Sequence, residues 1–481
     1  MILALDIGTS SARATAFDDT GRAVEGLFHG VPYEVSVGRD GAVEHDPHRL
    51  LEAVAACVDA VQARGRRQPF RAVGVATFWH GLLGFDAEGR PATPVYMWGD
   101  TRSAPDARIL GSALDEAALH ERTGCHLHPS YWPAKLRWLA RDRPAQTRRV
   151  TRWGSIGELL ELELFGTAGT SISMASGTGL LDQDNLVWDG EALAAAGIDE
   201  ARLFPLSERT DARRSLRPSW ARRWPALRDV PWFPAVGDGA ASNVGSDCTD
   251  PSRVALNVGT SAALRIITGP TGPPPWGLWR YRLDRRASLI GGALSEGGNA
   301  YAWCRKVLRL ADDTATEAAL ATAVDDHGLS VLPFFAGERA PGWRGDRRAV
   351  LDGLTLETTA VAIVRAVLEA VSLRLALVYT LLEPRAASGH LVVGSGGALV
   401  ASAAWAQIIA DALDRPLIVS REEEATSRGA ALLALDALGV RPVATATPAP
   451  SGTTFRPDPV GHARSVAALE RQQALDRAQA P

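Results

Sequence analysis

The stretch of sequence that decides the fold occurs twice, as Ala4-Leu5-Asp6-Ile7-Gly8-Thr9-Ser10 near the start and as Ala255-Leu256-Asn257-Val258-Gly259-Thr260-Ser261 past the middle. Each copy is an apolar run that leads into Gly-Thr-Ser, and an arginine follows, Arg13 or Arg265. This pattern predicts two β-hairpins whose tight turns expose backbone N–H groups and hydroxyls, which are groups that bind phosphate. Because the phrase is repeated, we expect two related domains whose turns face each other across a cleft.

The two copies differ at a position that matters for metal binding. The first copy has Asp6 where the second has Asn257. Only the first therefore offers a carboxylate that could hold Mg²⁺ among phosphate oxygens. The sequence thus predicts an asymmetric site for one metal-bound nucleotide.

Composition limits the classes of protein to consider. A chain of 481 residues is too long for one core and suggests two large domains or three smaller ones. A formal net charge of −4 gives no electrostatic footprint for nucleic acid or anionic lipid. The cysteines lack paired spacing, so we expect neither a zinc site nor a disulfide framework from Cys57, Cys125, Cys248 and Cys304.

We also expect neither a signal peptide nor a membrane-spanning helix. The first predicted strand starts directly after Met1, which leaves no room for a signal peptide. The long apolar stretch 360–382 contains Arg365, Glu369 and Arg374, so it is predicted to be a buried helix and not a membrane span. Together with the unpaired cysteines, these features favour a cytoplasmic protein.

Strand and helix signals alternate along the chain. A three-stranded meander is predicted over 2–5, 12–17 and 24–29, a helix from Asp46-Pro47 to Gly65, and a strand over 72–77. The second half repeats this plan, with strands near 254–258 and 391–393 and a long helix over 358–382. We therefore expect an α/β fold whose sheets are covered by helices, with domains at 1–234 and 235–442 and a C-terminal tail at 443–481.

The candidate for chemistry is Asp238, which lies between Gly237 and Gly239 at the end of a predicted strand. Glycines on both sides leave little steric cover, so its carboxylate could meet a substrate hydroxyl. Phosphoryl transfer requires a base that accepts the hydroxyl proton, and Asp238 suits that role. The alternative is an aspartate that caps the next helix.

Two further groups of residues indicate ligand binding. The cluster Gly394-Ser395-Gly396-Gly397-Ala398 follows a predicted strand and precedes a helix, where an adenine or ribose could lie against the backbone. Tight strand–helix packing is the alternative. Trp79-His80, Asp100 and Arg102 offer an aromatic plate and hydrogen-bonding groups for a polyol, although a core histidine and a surface ion pair would give the same pattern.

The ordered set of motifs resembles the FGGY carbohydrate kinases over nearly the whole chain. The resemblance is carried by residues 6–10, Trp79-His80-Gly81, residues 98–103, residues 135–139, Gly237-Asp238-Gly239, Gly259-Thr260-Ser261 and Gly396-Gly397-Ala398. It implies two RNase H-like domains of the actin-like ATPase type with an interdomain cleft. ATP and Mg²⁺ would lie in the cleft, with a sugar on the N-terminal side.

The resemblance also implies a role for each matching residue. Asp238 would be the catalytic base, and Asp6 with Asp238 would form the metal site through ATP. Phosphate contacts would come from Gly8, Thr9, Ser10, Arg13, Gly259, Thr260 and Ser261. Adenosine contacts would come from Gly396, Gly397 and Ala398, and substrate contacts from Trp79, His80, Asp100, Arg102 and Asp238.

Within the family, the chain looks most like the gluconokinases, which implies phosphorylation of the terminal hydroxyl of D-gluconate. This likeness rests on residues 123–135, 291–299 and 333–341. Arg102 or Lys135 could then meet the gluconate carboxylate, since a buried unpaired charge is costly. The aromatic segments Thr77-Phe78-Trp79-His80 and Ser130-Tyr131-Trp132-Pro133 depart from that pattern and keep a xylulokinase-like enzyme, or a kinase of another pentulose or polyol, as the alternative.

A different class of protein also fits the double turn. Other actin-like proteins use such a clamp as an ATP-driven switch, and a sugar sensor without kinase activity would bind sugar in the same way. Asp238 and the Trp79-His80 segment favour the kinase, because a pure switch needs neither. We expect a small-molecule sugar or sugar-acid partner, no nucleic acid and no membrane, and we leave a homodimer open.

Overall fold

The computed structural model describes residues 1–65, 69–270, 272–322 and 327–479 and contains two large β-sheets with helices on their faces. In the first sheet, Ile2–Ile7 pairs antiparallel with Ser11–Phe17, which pairs with Ala23–Pro32. On its other side Ile2–Ile7 pairs parallel with Ala72–Thr77, and Val236–Gly237 extends the sheet in parallel. The predicted meander and the strand that follows it are thus confirmed.

The second sheet repeats the same strand order and directions. Arg253–Val258 pairs antiparallel with Ala262–Thr268, which pairs with Ser288–Leu294. Its other neighbours run parallel, first Leu391–Ser395 and then Leu417–Ser420. Two edge strands, Trp279–Arg282 and Ser451–Phe455, widen this sheet to seven strands. The duplication predicted from the repeated phrase is therefore present in the fold.

Helices cover these sheets and build a subdomain on the first domain. The longer helices are Pro47–Arg64, Ala104–Ala113, Glu116–Thr123, Trp132–Asp142, Ile156–Phe165, Gly190–Ala196, Asp238–Gly245, Gly298–Val307, Asp313–Thr322, Ala360–Leu382, Ala403–Leu413, Ala425–Ala437 and Pro459–Ala478. Shorter helices are Pro144–Thr147, Ile172–Ser176, Pro218–Arg223 and Gly397–Ala401. Short strands pair outside the large sheets: Leu83–Phe85 with Arg152–Gly154, Thr170–Ser171 with Leu206–Ser207, Leu181–Asp182 with Val187–Trp188, Ser330–Leu332 with Val350–Asp352, and Ser36–Val37, Val43–His45 and Val95–Tyr96 together.

The local sequence explains where the elements start and stop. The Asp46 side chain accepts a hydrogen bond from the His48 N–H and caps helix Pro47–Arg64, which ends at Gly65 as predicted. The long helix predicted to be buried runs over Ala360–Leu382, and most of its residues are buried in the core of the second domain. Its length and burial are those of a core helix. Within the described ranges, no helix is both long enough and apolar enough to cross a membrane.

Two helices pack backbone to backbone where the domains meet. A Cβ at Gly245 would lie 1.7 Å from the Ala425 carbonyl oxygen, and one at Gly429 would lie 1.8 Å from that of Ala241. Helix Ala425–Ala437 also covers the first sheet, since a Cβ at Gly74 would lie 2.3 Å from the Ala430 carbonyl oxygen. A segment late in the sequence therefore helps to cover the first domain. The domain limits 1–234, 235–442 and 443–481 stay a prediction.

Candidate active site

Asp238 is the first residue of helix Asp238–Gly245, which follows the edge strand of the first sheet. Its two glycines have a packing role that the sequence did not reveal. A Cβ at Gly237 would lie 1.9 Å from the Trp79 indole, and a Cβ at Gly239 would lie 2.7 Å from the Arg265 guanidinium. The glycines thus let a buried aromatic ring and a cation approach the Asp238 backbone closely.

The groups around the Asp238 carboxyl shift its pKa in opposite directions. Burial raises its pKa, while Arg265 and the backbone N–H groups of Gly239 and Trp79 lower it. One carboxylate oxygen accepts the Gly239 N–H at 2.7 Å. Arg265 is itself held by a hydrogen bond from its Nε to the Asn243 Oδ1 at 3.1 Å. The backbone N–H groups and Arg265 thus constrain the orientation of the Asp238 carboxyl, and its side chain is partly exposed.

Asp6 and Glu424 form a second acidic group near Asp238. Arg13 Nη1 lies 3.7 Å from an Asp6 carboxylate oxygen and 3.8 Å from one of Glu424. Burial, followed by the charges of Asp238 and Glu424, raises the pKa of Asp6 to about 7, although Arg13 opposes this rise. Asp6 and Glu424 share one arginine, and the charge of Asp238 also acts on Asp6, so a divalent cation would relieve excess negative charge here.

This raised pKa predicts a pH-dependent effect of Asp6→Asn on stability. Between the ordinary pKa of 3.8 and about 7, the folded protein holds a proton on Asp6 that the unfolded chain has lost. The Asp6 carboxyl therefore lowers stability as pH rises through that window, and the full penalty is present above pH 7. We expect Asp6→Asn to raise the free energy of unfolding at pH 8.5 by about 2 to 4 kcal/mol.

Urea denaturation without nucleotide or Mg²⁺ measures this effect at pH 8.5 and pH 5. The gain should shrink at pH 5, because wild-type Asp6 is then protonated in the folded state. Asp352→Asn, at an exposed position, is the matched control and should show no such trend. A gain of the same size at both pH values would contradict the assignment of the effect to Asp6 titration.

In each predicted phosphate turn the glycine N–H donates a hydrogen bond within the turn. The Gly8 N–H donates to the Ser11 carbonyl at 2.9 Å, and the Gly259 N–H donates to the Ser261 carbonyl at 3.0 Å. In the first turn the Tyr33 hydroxyl donates to the Gly8 carbonyl at 2.5 Å. Residues Thr9, Ser10 and Thr260 are at least partly exposed at the tips, so their hydroxyls can reach a ligand.

The second turn is held against a neighbouring helix. The Gly298 N–H donates to the Gly259 carbonyl at 2.7 Å, and the Asn299 N–H donates to the Thr260 carbonyl at 3.1 Å. These bonds fix the turn from helix Gly298–Val307, which the sequence did not connect with phosphate binding. The turn is therefore ordered before any ligand arrives.

The predicted adenosine turn lies beside the second phosphate turn. Strand Leu391–Ser395 pairs with Arg253–Val258, and the chain then turns at Gly396 with φ of 99°. A Cβ at Gly396 would lie 2.5 Å from the Val258 carbonyl oxygen, so this turn requires glycine. Gly397 faces open space, and a cavity of about 150 Å³ beside Ala398 is lined in part by Tyr301 and Trp405.

The predicted sugar side combines buried aromatic and histidine side chains. Trp79 is only 5 % exposed, its Nε1–H donates to the Ser173 carbonyl at 2.9 Å, and it supports the Asp238 turn. His80 has φ of 68°, and its Nδ1 is 2.6 Å from the Gly177 carbonyl oxygen. Burial, reinforced by Arg339 and Lys135, lowers the pKa of His80 to about 3, so its ring is neutral at pH 7. The predicted substrate contacts of both residues stay predictions.

Asp100 and Arg102 form a mostly buried ion pair with a third partner. Arg102 Nη2 lies 2.5 Å from a carboxylate oxygen of Asp100 and 2.5 Å from one of Glu44. Its guanidinium carbon lies 4.5 Å from the centre of the Trp138 ring. The surface-pair alternative is thus wrong for Asp100, which is 2 % exposed, while contact of the pair with substrate stays a prediction.

Lys135, the other predicted partner for a substrate carboxylate, forms hydrogen bonds with the protein backbone. Its Nζ donates to the carbonyls of Pro129 and Ser130 at 2.6 and 2.7 Å. Burial lowers its pKa to about 7, although the Asp100 charge opposes this shift. Lys135 therefore holds the 129–130 turn, and burial weakens the hold of its amine on the proton.

Sequence reasoning missed three charged residues of this site. Arg265 and Glu424 approach Asp238 and Asp6, as described above. Arg339 is 8 % exposed, and its guanidinium carbon lies 5.1 Å from the centre of the Trp98 ring. Signals for two of them were present in the sequence, because Arg265 follows the repeated phrase and Arg339 lies in segment 333–341. Glu424 gave no comparable signal.

The residues present fit a metal-bound nucleotide. Gly397 has open space at the Cβ position, and a Cβ at Gly259 would meet only the Asn257 Oδ1 at 3.6 Å, so a bound ligand can approach both. Asp6 and Glu424 supply the hard oxygen ligands that Mg²⁺ prefers. Within the described part of the chain, no cluster of three acidic, histidine or cysteine side chains is arranged to hold a metal by itself. Phosphate oxygens would therefore have to complete the coordination.

Comparison with known proteins gives two relatives in different substrate groups. The chain is 27% identical to "Gluconokinase" of Bacillus subtilis, over 95% of this chain and 92% of the relative. It is 30% identical to "Glycerol kinase" of Rhodospirillum centenum, over 90% of this chain and 88% of the relative. The chain is thus similar along nearly its full length to kinases that act on different small molecules.

Two solved kinase structures superpose on nearly the whole chain. The gluconate kinase from Lactobacillus acidophilus superposes with a TM-score of 0.91 at 24% identity, covering 99% of this chain and 97% of that one. A ligand-bound xylulose kinase from the same organism also has a TM-score of 0.91 at 24% identity, with coverages of 99% and 98%. At this identity the likeness shows the fold alone, which confirms the predicted actin-like, two-domain architecture.

Family models match both halves of the chain. Residues 1–245 match the N-terminal domain of the FGGY family of carbohydrate kinases, and residues 254–438 match its C-terminal domain. The first match includes Asp6 and Asp238, and the second includes Gly259 and Gly396. These matches cover most of the sequence, and the chain belongs to the FGGY family of carbohydrate kinases.

Proposed function

We propose that this carbohydrate kinase transfers the γ-phosphoryl group of ATP to the terminal hydroxyl of D-gluconate and so forms 6-phospho-D-gluconate. One observation carries the kinase reaction. The Asp238 carboxylate has one oxygen held by the Gly239 N–H, faces Arg265, and lies in electrostatic contact with Asp6 behind the first phosphate turn. This interaction supports the pairing of a proposed base with a proposed metal-binding carboxylate, as phosphoryl transfer requires.

The proposed mechanism assigns a step to each part of the site. Asp238 accepts the proton of the terminal hydroxyl as that oxygen attacks the γ-phosphorus and the bond to the β-phosphate oxygen breaks. Its raised pKa brings the base nearer to neutral pH, where general bases are most effective. When bound, Mg²⁺ would neutralise phosphate charge, held by Asp6 on the protein side. The N–H groups and hydroxyls of the two turns bind and orient the phosphates.

Closure of the cleft is expected to accompany acceptor binding. The base lies at the edge of the first sheet, whereas the second phosphate turn and the adenosine turn belong to the second sheet. An acceptor that contacts both sides would draw them together and exclude water that otherwise hydrolyses ATP. The kinase reaction therefore depends on a correct acceptor.

A panel of acceptors tests the proposed substrate. ATP-dependent phosphorylation is measured with D-gluconate, other aldonates, D-xylulose, L-ribulose, L-fuculose and glycerol, with Asp238→Asn as the blank. We expect D-gluconate to have the highest kcat/KM. Preferential turnover of D-xylulose would replace the substrate but keep the kinase. ATP binding without turnover of any acceptor would instead favour a switch or a sugar sensor.

A further inference from the structure

Arg339 differs from the neighbouring arginines in its charge partners. Arg102 pairs with Asp100 and Glu44, and Arg344 pairs with Glu338 and Asp476. Across residues 1–65, 69–270, 272–322 and 327–479, no carboxylate forms an ion pair with Arg339, and its buried Nε has no hydrogen-bond partner. A nearly buried guanidinium without a counter-ion is costly, because burial removes its hydration.

The groups that face Arg339 from the first domain do not neutralise it. Its charge lowers the pKa of His80 and of His128, both of which are buried and therefore neutral. Lys135 adds partial positive charge on the same side. The Nε2 atom of His128 also has no hydrogen-bond partner in the described chain, so the region holds a second unsatisfied polar atom. An acceptor could satisfy both.

Two acidic residues, Asp238 and Glu296, interact with Arg339 electrostatically, and neither forms an ion pair with it. Arg265 and Arg339 both lower the pKa of Asp238, and Arg265 has the larger effect. Burial raises the pKa of Glu296 to about 8, so this carboxyl is mostly protonated at pH 7. Its Oε1 also accepts the Ala336 N–H at 3.0 Å. Neither acid therefore supplies the charge that Arg339 lacks.

Ion pairs of the neighbouring residues hold the backbone next to Arg339 in place. The preceding residue, Glu338, is 2 % exposed and pairs with Arg344 at 2.5 Å and with Arg374 of helix Ala360–Leu382. Asp476 of the C-terminal helix binds Arg344 at 2.6 Å. This network fixes the backbone next to Arg339 on the second-domain side, while its guanidinium reaches Trp98 of the first domain. The cation is thus positioned before an acceptor binds.

We propose that Arg339 binds a carboxylate of the phosphoryl acceptor and makes the enzyme prefer sugar acids over neutral sugars. The planar guanidinium can donate two parallel hydrogen bonds to a carboxylate, and such pairing would supply the missing counter-charge. The terminal hydroxyl at the other end of a linear acid would then face Asp238. This inference rests on the proposed kinase function and names the residue that selects its substrate class.

Calorimetric titration tests the inference with two ligands, D-gluconate and D-glucitol. D-glucitol is the neutral counterpart of D-gluconate and has a hydroxymethyl group in place of the carboxylate. Wild-type enzyme should bind D-gluconate at least about 30-fold more tightly than D-glucitol. Arg339→Gln should weaken D-gluconate binding by about 30-fold or more, while D-glucitol affinity changes less than about threefold. Arg339→Lys keeps the charge without the planar fork and should lie between the two.

Arg348→Gln is the matched control, because Arg348 is exposed in the same loop. Equal losses for both ligands in Arg339→Gln would overturn the inference and make Arg339 a structural residue. If that variant does not fold, the wild-type affinities still test the inference. Similar affinities of the wild-type enzyme for D-gluconate and D-glucitol would contradict a carboxylate site. The kinase proposal fails separately, when wild-type enzyme binds D-gluconate but transfers no phosphoryl group to it.

Discussion

Asp238→Asn should lower kcat by about 10³-fold or more while the Kd for ATP changes little, because the amide cannot accept the proton of the acceptor hydroxyl. The side chain keeps its size and its Oδ1 can still accept the Gly239 N–H. It loses only the negative charge that faces Arg265. The loss should therefore be in the chemical step and not in the fold.

Steady-state kinetics with D-gluconate, together with calorimetric titration of ATP, measures both quantities. Asp352→Asn makes the same substitution at an exposed strand position and should leave kcat within about twofold of wild type. Near wild-type turnover of Asp238→Asn would remove Asp238 as the base. A variant that binds ATP tenfold more weakly would instead assign Asp238 to nucleotide or metal binding.

The sequence predicted the two hairpins well because their signal is local. The apolar runs before Gly8 and Gly259 and the small residues after them determine strand, turn and strand within about a dozen residues. The repeat then predicted a second sheet, which has the same strand order as the first. The glycines around Asp238 also led to the choice of the candidate base, which stays a prediction.

The reason for those glycines was not predictable in the same way. The sequence suggested that Gly237 and Gly239 expose the carboxylate, whereas in the structure they make room for Trp79 and Arg265. Trp79 comes from a segment about 160 residues away, and only the parallel pairing of Val236–Gly237 with Ala72–Thr77 brings the two together. Trp79, which the sequence suggested as an aromatic plate, thus also supports the turn that carries Asp238.

Charged partners from distant segments were the hardest to predict. Arg339 and Glu424 reach Trp98 and Arg13 from loops whose positions depend on the packing of the second domain. Nothing in the neighbouring sequence of Glu424 separates it from Glu422 and Glu423. Its approach to Arg13 follows from the packing of helix Ala425–Ala437 on the first sheet, which brings residue 424 to the cleft. Such contacts depend on tertiary structure.

Gly259→Val should weaken ATP binding by about 100-fold, or about 2.7 kcal/mol, without a matching loss of stability. A Cβ at Gly259 would meet only the Asn257 Oδ1, at 3.6 Å, so a Cβ fits at this position of the folded protein. The isopropyl group would occupy the space in which we expect a phosphate to approach the turn. Losing one or two charge-assisted hydrogen bonds to phosphate, at about 1.5 to 3 kcal/mol each, accounts for this loss.

Calorimetric titration of ATP and thermal unfolding separate the two effects. Gly269→Val is the matched control, because Gly269 is exposed in the same domain and has no neighbouring atom within 4 Å of an added Cβ. Both variants should unfold within about 4 °C of wild type, but only Gly259→Val should lose ATP affinity. An unchanged Kd for ATP in a folded Gly259→Val protein would show that the second turn does not bind phosphate. In that case the repeated phrase would record a duplicated fold and not a duplicated phosphate clamp.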